Sequence, residues 1–189
     1  MTDVHTDAKP TDSAHASACA TEDAFGILAH CHEHILEKLG VLETIAGRLR
    51  DEPTFDDSIL AGFCDVLTFL DTAIPMHSAD EEQTLFPRLR EREPFAGMLG
   101  EGTPMDCMES EHVTHQAMMA ELKKQIMRRD AELAVRAART IVSEYREHIG
   151  KENEILFPMA RQIITEPALI ESMTVEMRAR RQAAAIGGC

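Results

Sequence analysis

The chain has 189 residues, a formal net charge of −14, no Trp and one Tyr. Its acidity excludes a nucleic-acid surface, which needs clustered Lys and Arg. With so few aromatics, Leu, Ile, Met, Ala and Val must fill the interior of what the length makes a single domain, which suits a helical bundle better than a sheet. The cysteines (Cys19, Cys31, Cys64, Cys107, Cys189) are odd in number and show no Cys-x-x-Cys. Neither a disulfide framework nor a zinc knuckle is indicated, and a reduced cytoplasmic protein is the simplest expectation. Ala18-Cys19-Ala20 resembles a processing site only superficially, because no apolar run precedes it. No window approaches the roughly eighteen apolar residues of a membrane span, so no membrane partner is expected.

Residues 1–20 are polar and aperiodic and read as a disordered tail, with His5 and His15 as solvated residues. A first helix opens near Thr21, with Glu22 and Asp23 suited to its positive end. Its stripe runs Phe25, Leu28, His32, Ile35, Leu39, Leu42, Ala46, Leu49, which turns His32 inward. Pro53 breaks the chain, and Thr54 to Asp57 resembles a capping box. The second helix carries Phe63, Leu67, Leu70, Ile74, His77, Glu81 and Leu85 on one stripe, and Pro75 within it predicts a kink or irregular turn just before His77. Residues 90–102, with Pro94, Gly97, Gly100 and Gly102, read as a connecting loop.

Thr103-Pro104-Met-Asp106 is a strong helix start, followed by the stripe Met105, Met108, His112, His115, Met119, Leu122, Ile126. The fourth helix begins near Asp130 and aligns Ala138, Ile141, Tyr145, His148, Glu152, Ile155 and Met159. A shorter fifth helix opens at Thr165-Glu-Pro167 and ends in the basic turn Arg178 to Arg181, before a frayed Ala/Gly tail. The expected architecture is all-α: an antiparallel up-down four-helix bundle over 21–165, with a short extra C-terminal helix in 166–189 packed across its side or end.

One motif occurs twice. His77-x-x-x-Glu81-x-x-x-Leu85-Phe86-Pro87 and His148-x-x-x-Glu152-x-x-x-Leu156-Phe157-Pro158 share five residue types at identical offsets. On a helix the His and Glu fall on one face a turn apart. The Leu-Phe-Pro that follows is expected to anchor the helix end and then disrupt it.

Seven inward positions are therefore polar: His32, His77, Glu81, His112, His115, His148 and Glu152. An unsatisfied buried polar group costs about 1–3 kcal/mol, and an isolated carboxylate more. A metal centre or a buried His–Glu hydrogen-bond network could compensate them. Every helix contributes a ligand-type residue and no inward Lys or Arg appears, which favours metal. The donor set is too rich in imidazole for calcium or magnesium and too large for a closed zinc site, and it fits non-haem iron, with manganese second. Two irons offer about twelve positions; bridging Glu81 and Glu152 and an oxo or hydroxo bridge would leave about six. Five histidines fill five, so one stays open to a diatomic ligand, or two if His115 is not a ligand. The ferritin-like pattern competes poorly, since Glu109-x-x-His112 occurs once without a counterpart on the fourth helix.

Residues Leu28 to Arg181 resemble the bacterial hemerythrin-like, or HHE cation-binding, domains. The resemblance rests on Cys31-His32, the two repeated motifs, Glu111-His112, and Glu176-Met177 with Arg180-Arg181. It implies a four-helix bundle around two non-haem Fe ions held by His32, His77, Glu81, His112, His148 and Glu152. His115 stands three residues from His112, where oxygen-carrying members space the pair by four. His30 and His34 fall off the stripe and read as surface residues. Asp80, Glu82 and Glu111 are candidate acceptors for imidazole N–H groups, with solvated helix charges as the alternative. Tyr145 could donate to a bound ligand or simply pack.

The functional expectation is a di-iron protein that binds O2, NO or a peroxide for sensing, storage or delivery. The alternatives are a di-iron enzyme acting on peroxide or NO or repairing damaged iron centres, and a metal-free helical interaction protein.

Overall fold

A computed structural model describes residues 22–95 and 102–187. The N-terminal stretch with His5 and His15, part of the 90–102 connection and the last two residues lie outside the described residues. Helix α1 spans Ala24–Asp51, α2 Asp57–Asp80, α3 Phe86–Arg90, α4 Pro104–Met127, α5 Ala131–Lys151, α6 Phe157–Ile163 and α7 Pro167–Gly187. Two π-helical turns, Glu81–Leu85 and Glu152–Leu156, join α2 to α3 and α5 to α6. The architecture is the expected all-α four-helix bundle, with α1 packed on α2 and α5, and α4 on α5.

The helix starts follow from capping chemistry. Asp23 accepts from the Gly26 N–H at 2.8 Å and opens α1, while Thr103 and Asp106 form the predicted reciprocal box at α4. The cap of α2 is Asp56, which accepts from the Ile59 N–H at 2.7 Å, and not Thr54 as the sequence suggested. Gly62 allows α2 to lie close on α1, since a Cβ there would stand 2.9 Å from Ile45 Cδ1.

Several expectations are corrected. Pro75 lies inside a continuous α2, on its exposed face, where the carbonyl it leaves without a donor can meet water. The irregularity comes after His77, in the π turn. Leu-Phe-Pro does not end either helix: Phe86-Pro87 and Phe157-Pro158 open α3 and α6, and a first helical turn does not need the proline N–H. The wide turn also shifts the stripe, so Leu156 is buried while Ile155, expected inside, is 64% exposed. Helix α7 is as long as α5 rather than short, and it buries Met173 and Met177. Finally, Asp57–Arg90 is by length and composition long and apolar enough to cross a membrane, with mean hydropathy 1.5 over its best 18-residue window. Scattered residues such as Asp65 and Asp71 hide this from a search for an unbroken apolar run. Its inward face carries Phe63, Leu70, His77 and Glu81, the face a core helix needs.

The apolar interior is in two parts. One cluster holds Ile35, Leu42, Phe63, Leu70, Leu122 and Ile141; the other holds Phe25, Leu28, Phe86, Met105, Phe157 and Met177. Along α1, His32 falls between Leu28 and Ile35, and along α4, His112 falls between Met108 and Met119, so each imidazole sits between the two clusters. The polar layer is thus closed above and below by hydrocarbon.

Candidate metal centre

Each repeated motif places its glutamate at the first residue of a π turn. The Phe86 N–H donates to the Glu81 carbonyl and the Phe157 N–H to the Glu152 carbonyl, five residues back instead of four. Such bulges recur at functional sites because they redirect side chains without ending the helix. Here they aim two carboxylates at the bundle axis, both completely buried.

Six of the seven inward residues meet in two groups: His32, His77, Glu81 and Glu152, and Glu81, His112, His148 and Glu152. Within each group the ligand-type atoms all lie within 4.8 Å of one another, as a metal ion would require. His32 Nε2 lies 2.9 Å from His77 Nε2, and His112 Nε2 lies 3.2 Å from His148 Nε2. Glu152 divides its oxygens, with Oε2 2.9 Å from His32 Nε2 and Oε1 3.1 Å from His148 Nε2. Glu81 Oε2 stands 3.4 Å from His77 Nε2 and 3.3 Å from His112 Nε2. Both glutamates therefore belong to both groups.

The imidazoles are turned by outer acceptors. His112 Nδ1 lies 2.7 Å from Glu82 Oε1, His148 Nδ1 2.7 Å from Glu111 Oε2, and His32 Nδ1 2.8 Å from Asn153 Oδ1. An Nδ1–H engaged in this way leaves the Nε2 lone pair pointing inward. Lys151 Nζ sits 2.8 Å from Glu111 Oε1 and fixes that carboxylate in turn. Glu82 and Glu111 thus take the role considered for them. Asp80 does not: it is buried against Arg180 and Arg181 of α7, a pairing that holds the last helix over the π turn. Asn153 was not anticipated. The signal was in the repeat, since Asn153 follows Glu152 as Glu82 follows Glu81.

Burial and mutual contacts set the charges in the layer. Burial and then the nearby Glu152 carboxylate push Glu81 well up. Burial also opposes ionisation of Glu152, but its contacts with His148, His32 and His77 outweigh this and draw it well down. Burial pushes His77 down to about 4 against the pull of Glu152. Both oxygens of both glutamates lack a hydrogen bond among the described residues, although imidazole nitrogens stand close by. Four imidazole nitrogens and two carboxylates facing one another at these distances suit cations of mixed N/O preference.

His115 is buried but belongs to neither group. Its ring lies tilted by 33° against Tyr145, centroids 4.2 Å apart, and stands edge-on 4.9 Å from His148. His115 Nδ1 and the Tyr145 hydroxyl are buried without a partner among the described residues. Burial, then the His148 and His112 charges, brings His115 down to about 4, and burial raises the Tyr145 phenol. Glu109, the lone ferritin-type candidate, pairs with Arg90 outside the layer.

Comparison with known proteins agrees with this geometry. A family model described as the hemerythrin HHE cation binding domain matches residues 23–160. An uncharacterized protein of Haemophilus influenzae (strain ATCC 51907 / DSM 11121 / KW20 / Rd) is 26% identical over 160 residues, covering 82% of this chain and 88% of that protein. No solved structure matches. The repeated motif, the bundle and the match across most of its length place the chain in the hemerythrin HHE cation-binding domain family.

Proposed function

We propose that this chain is a cytoplasmic non-haem di-iron protein that binds O2, NO or a related small oxidant for sensing, storage or delivery. The observation that carries the reading is the divided Glu152 carboxylate, one oxygen beside His32 and the other beside His148. A carboxylate so placed could serve two ions at once, and the mixture of imidazole and carboxylate suits iron. His32 and His77 would hold one ion, His112 and His148 the other, and Glu81 and Glu152 both. When bound, the pair supplies Lewis-acid and redox chemistry to a small ligand. The chain's own part is to orient the imidazoles through Glu82, Glu111 and Asn153 and to exclude bulk water with the two apolar clusters.

A second reading, an enzyme acting on peroxide or NO or repairing damaged iron centres, is favoured by one observation. His115 stands outside both groups, which leaves more positions open; its ring lies edge-on to His148 and beside Tyr145, whose hydroxyl is buried without a partner among the described residues, as is His115 Nδ1. Tyr145 also lines a surface pocket of about 260 Å³ with Leu70, Ile74 and Met119.

Elemental analysis of protein made in iron-supplemented cells tests the first reading. About two irons per chain are expected, and zinc at one per chain would sink it. Titration with NO then follows binding. Tyr145→Phe is expected to keep the iron and to weaken NO binding about tenfold, the worth of one buried hydrogen bond. Turnover of hydrogen peroxide or NO above that of free iron would move the assignment to the second reading.

A further inference from the structure

Imidazoles also converge away from the buried layer. His30 and His34 stand a turn apart on the outer side of α1, with Nε2 atoms 3.0 Å apart and rings edge-on at 4.5 Å. That approach lies between the 2.9 Å of His32 and His77 and the 3.2 Å of His112 and His148. Carboxylates also flank the pair, more loosely than in the layer. Glu33 Oε2 is 3.5 Å from His30 Nδ1, and Glu37 Oε2 is 3.9 Å from His34 Nδ1. Two negative side chains beside the rings favour a cation there, and both Nε2 atoms face one point.

Solvent reaches that point. The side chains of His30 and His34 are 23% and 36% exposed. Together with Met76, Phe69 and Arg181 they line a groove of about 480 Å³ beside α1, α2 and α7. The site is separate from the buried layer, because His32 leaves the opposite side of α1 into the core. A single N–H···N bond between the rings would explain their distance. It does not require an acid behind each ring or an open groove in front of them.

We propose that His30 and His34 form a second metal site, an exposed two-imidazole chelate for a divalent transition ion such as Zn²⁺ or Cu²⁺, completed by solvent. Imidazole donors select these ions over Ca²⁺ and Mg²⁺, and affinity for such a pair rises toward the end of the first-row series. With only two protein ligands the coordination stays open and the ion exchangeable. The Met76 thioether in the same groove adds a soft donor surface that suits copper.

Calorimetric titration of Zn²⁺ into the full chain tests this, read as the difference between wild type and variants so that filling of the buried layer cancels. His30→Ala and His34→Ala are each expected to remove one zinc equivalent, with helicity and iron content unchanged. Glu33→Gln combined with Glu37→Gln should keep the equivalent but weaken it about tenfold, and this pair gives the answer should an alanine variant unfold. Equal zinc uptake by wild type and all variants, or no uptake by the wild type, would overturn the proposal.

Discussion

The bundle is two helical hairpins of the same plan, α1 with α2 and α4 with α5, and they agree where ligands are placed and differ around them. His32 of α1 answers to His112 of α4, and His77-x-x-x-Glu81 to His148-x-x-x-Glu152. In each, the residue after the glutamate reaches across to the other hairpin's imidazole: Glu82 to His112, Asn153 to His32. The difference is charge. His112 and His148 both lean on carboxylates, Glu82 and Glu111, whereas His32 has a neutral amide and His77 Nδ1 is buried without a partner among the described residues. Before the glutamate, Asp80 grips Arg180 and Arg181 where Lys151 grips Glu111. The apolar neighbours differ too: Ile35 and Ile74 in one half stand where His115 and Tyr145 do in the other. The frame of clustered His and Glu side chains is near-symmetric while its electrostatic surroundings are not. The His112/His148 group is therefore the more highly charged half.

The shared frame fails first if a shared ligand goes. Glu152→Ala removes the neighbour of His32, His77 and His148 together and is expected to lower metal per chain from about two to near zero. The loaded protein's melting temperature should fall with it, because bound metal stabilises the folded state. Elemental analysis beside thermal melts measures both. His115→Ala, outside both groups, should leave metal content unchanged; a loss equal to that of Glu152→Ala would make His115 part of the frame.

The asymmetry is addressed by the outer acceptors. If carboxylate backing makes one half tighter, a chelator should strip the wild-type protein in two phases. Glu82→Gln with Glu111→Gln should weaken the slow phase by about 10–100-fold and merge the two. Asn153→Asp should instead slow the fast phase by lending His32 the carboxylate that His112 already has. Release in a single phase from the wild type, unchanged in these variants, would show that the outer charges do not distinguish the halves.

The fold and the ligand frame were legible because both are written in side-chain period. Stripes of three and four turned His32, His77, His112 and His148 inward, and the repeat exposed Glu81 and Glu152 as a pair. What escaped was set by backbone geometry or by distance along the chain. The π turns follow from no residue type alone, so Ile155 was placed inside and Leu-Phe-Pro was taken as an end. Asp80 reads from the sequence as a candidate imidazole acceptor or a solvated charge because its partners, Arg180 and Arg181, lie a hundred residues on. Asn153 could have been found by aligning the two motifs one position further. His30 and His34 fell outside the inward stripe, and their mutual approach depends on rotamers that no sequence pattern specifies.

The smallest expected effect lies at the ends of the hairpins, where both halves use an arginine to tie themselves to a helix start. Arg161 pairs with Asp23, the cap of α1, at 3.2 Å. Arg90 pairs with Asp106 and Glu109 in α4, both at 2.9 Å. The second tie also includes the capping box. The Thr103 hydroxyl and N–H, with Arg90, hold the Asp106 carboxyl at about 2, below its ordinary 3.8. A carboxyl depressed by folding favours the folded state when ionised. Its contribution is whole above the unfolded value and disappears as pH falls from near 4 to about 2. Asp106→Asn should therefore be less stable than wild type at neutral pH by an amount that stays constant down to about pH 4 and then closes toward about pH 2. Denaturant melts of both proteins, stripped of metal so that acid release does not intrude, measure the gap. A gap that persisted to pH 2 would mean that the asparagine disturbs the cap by shape alone. The Arg90 tie would then be no stronger electrostatically than an ordinary exposed pair.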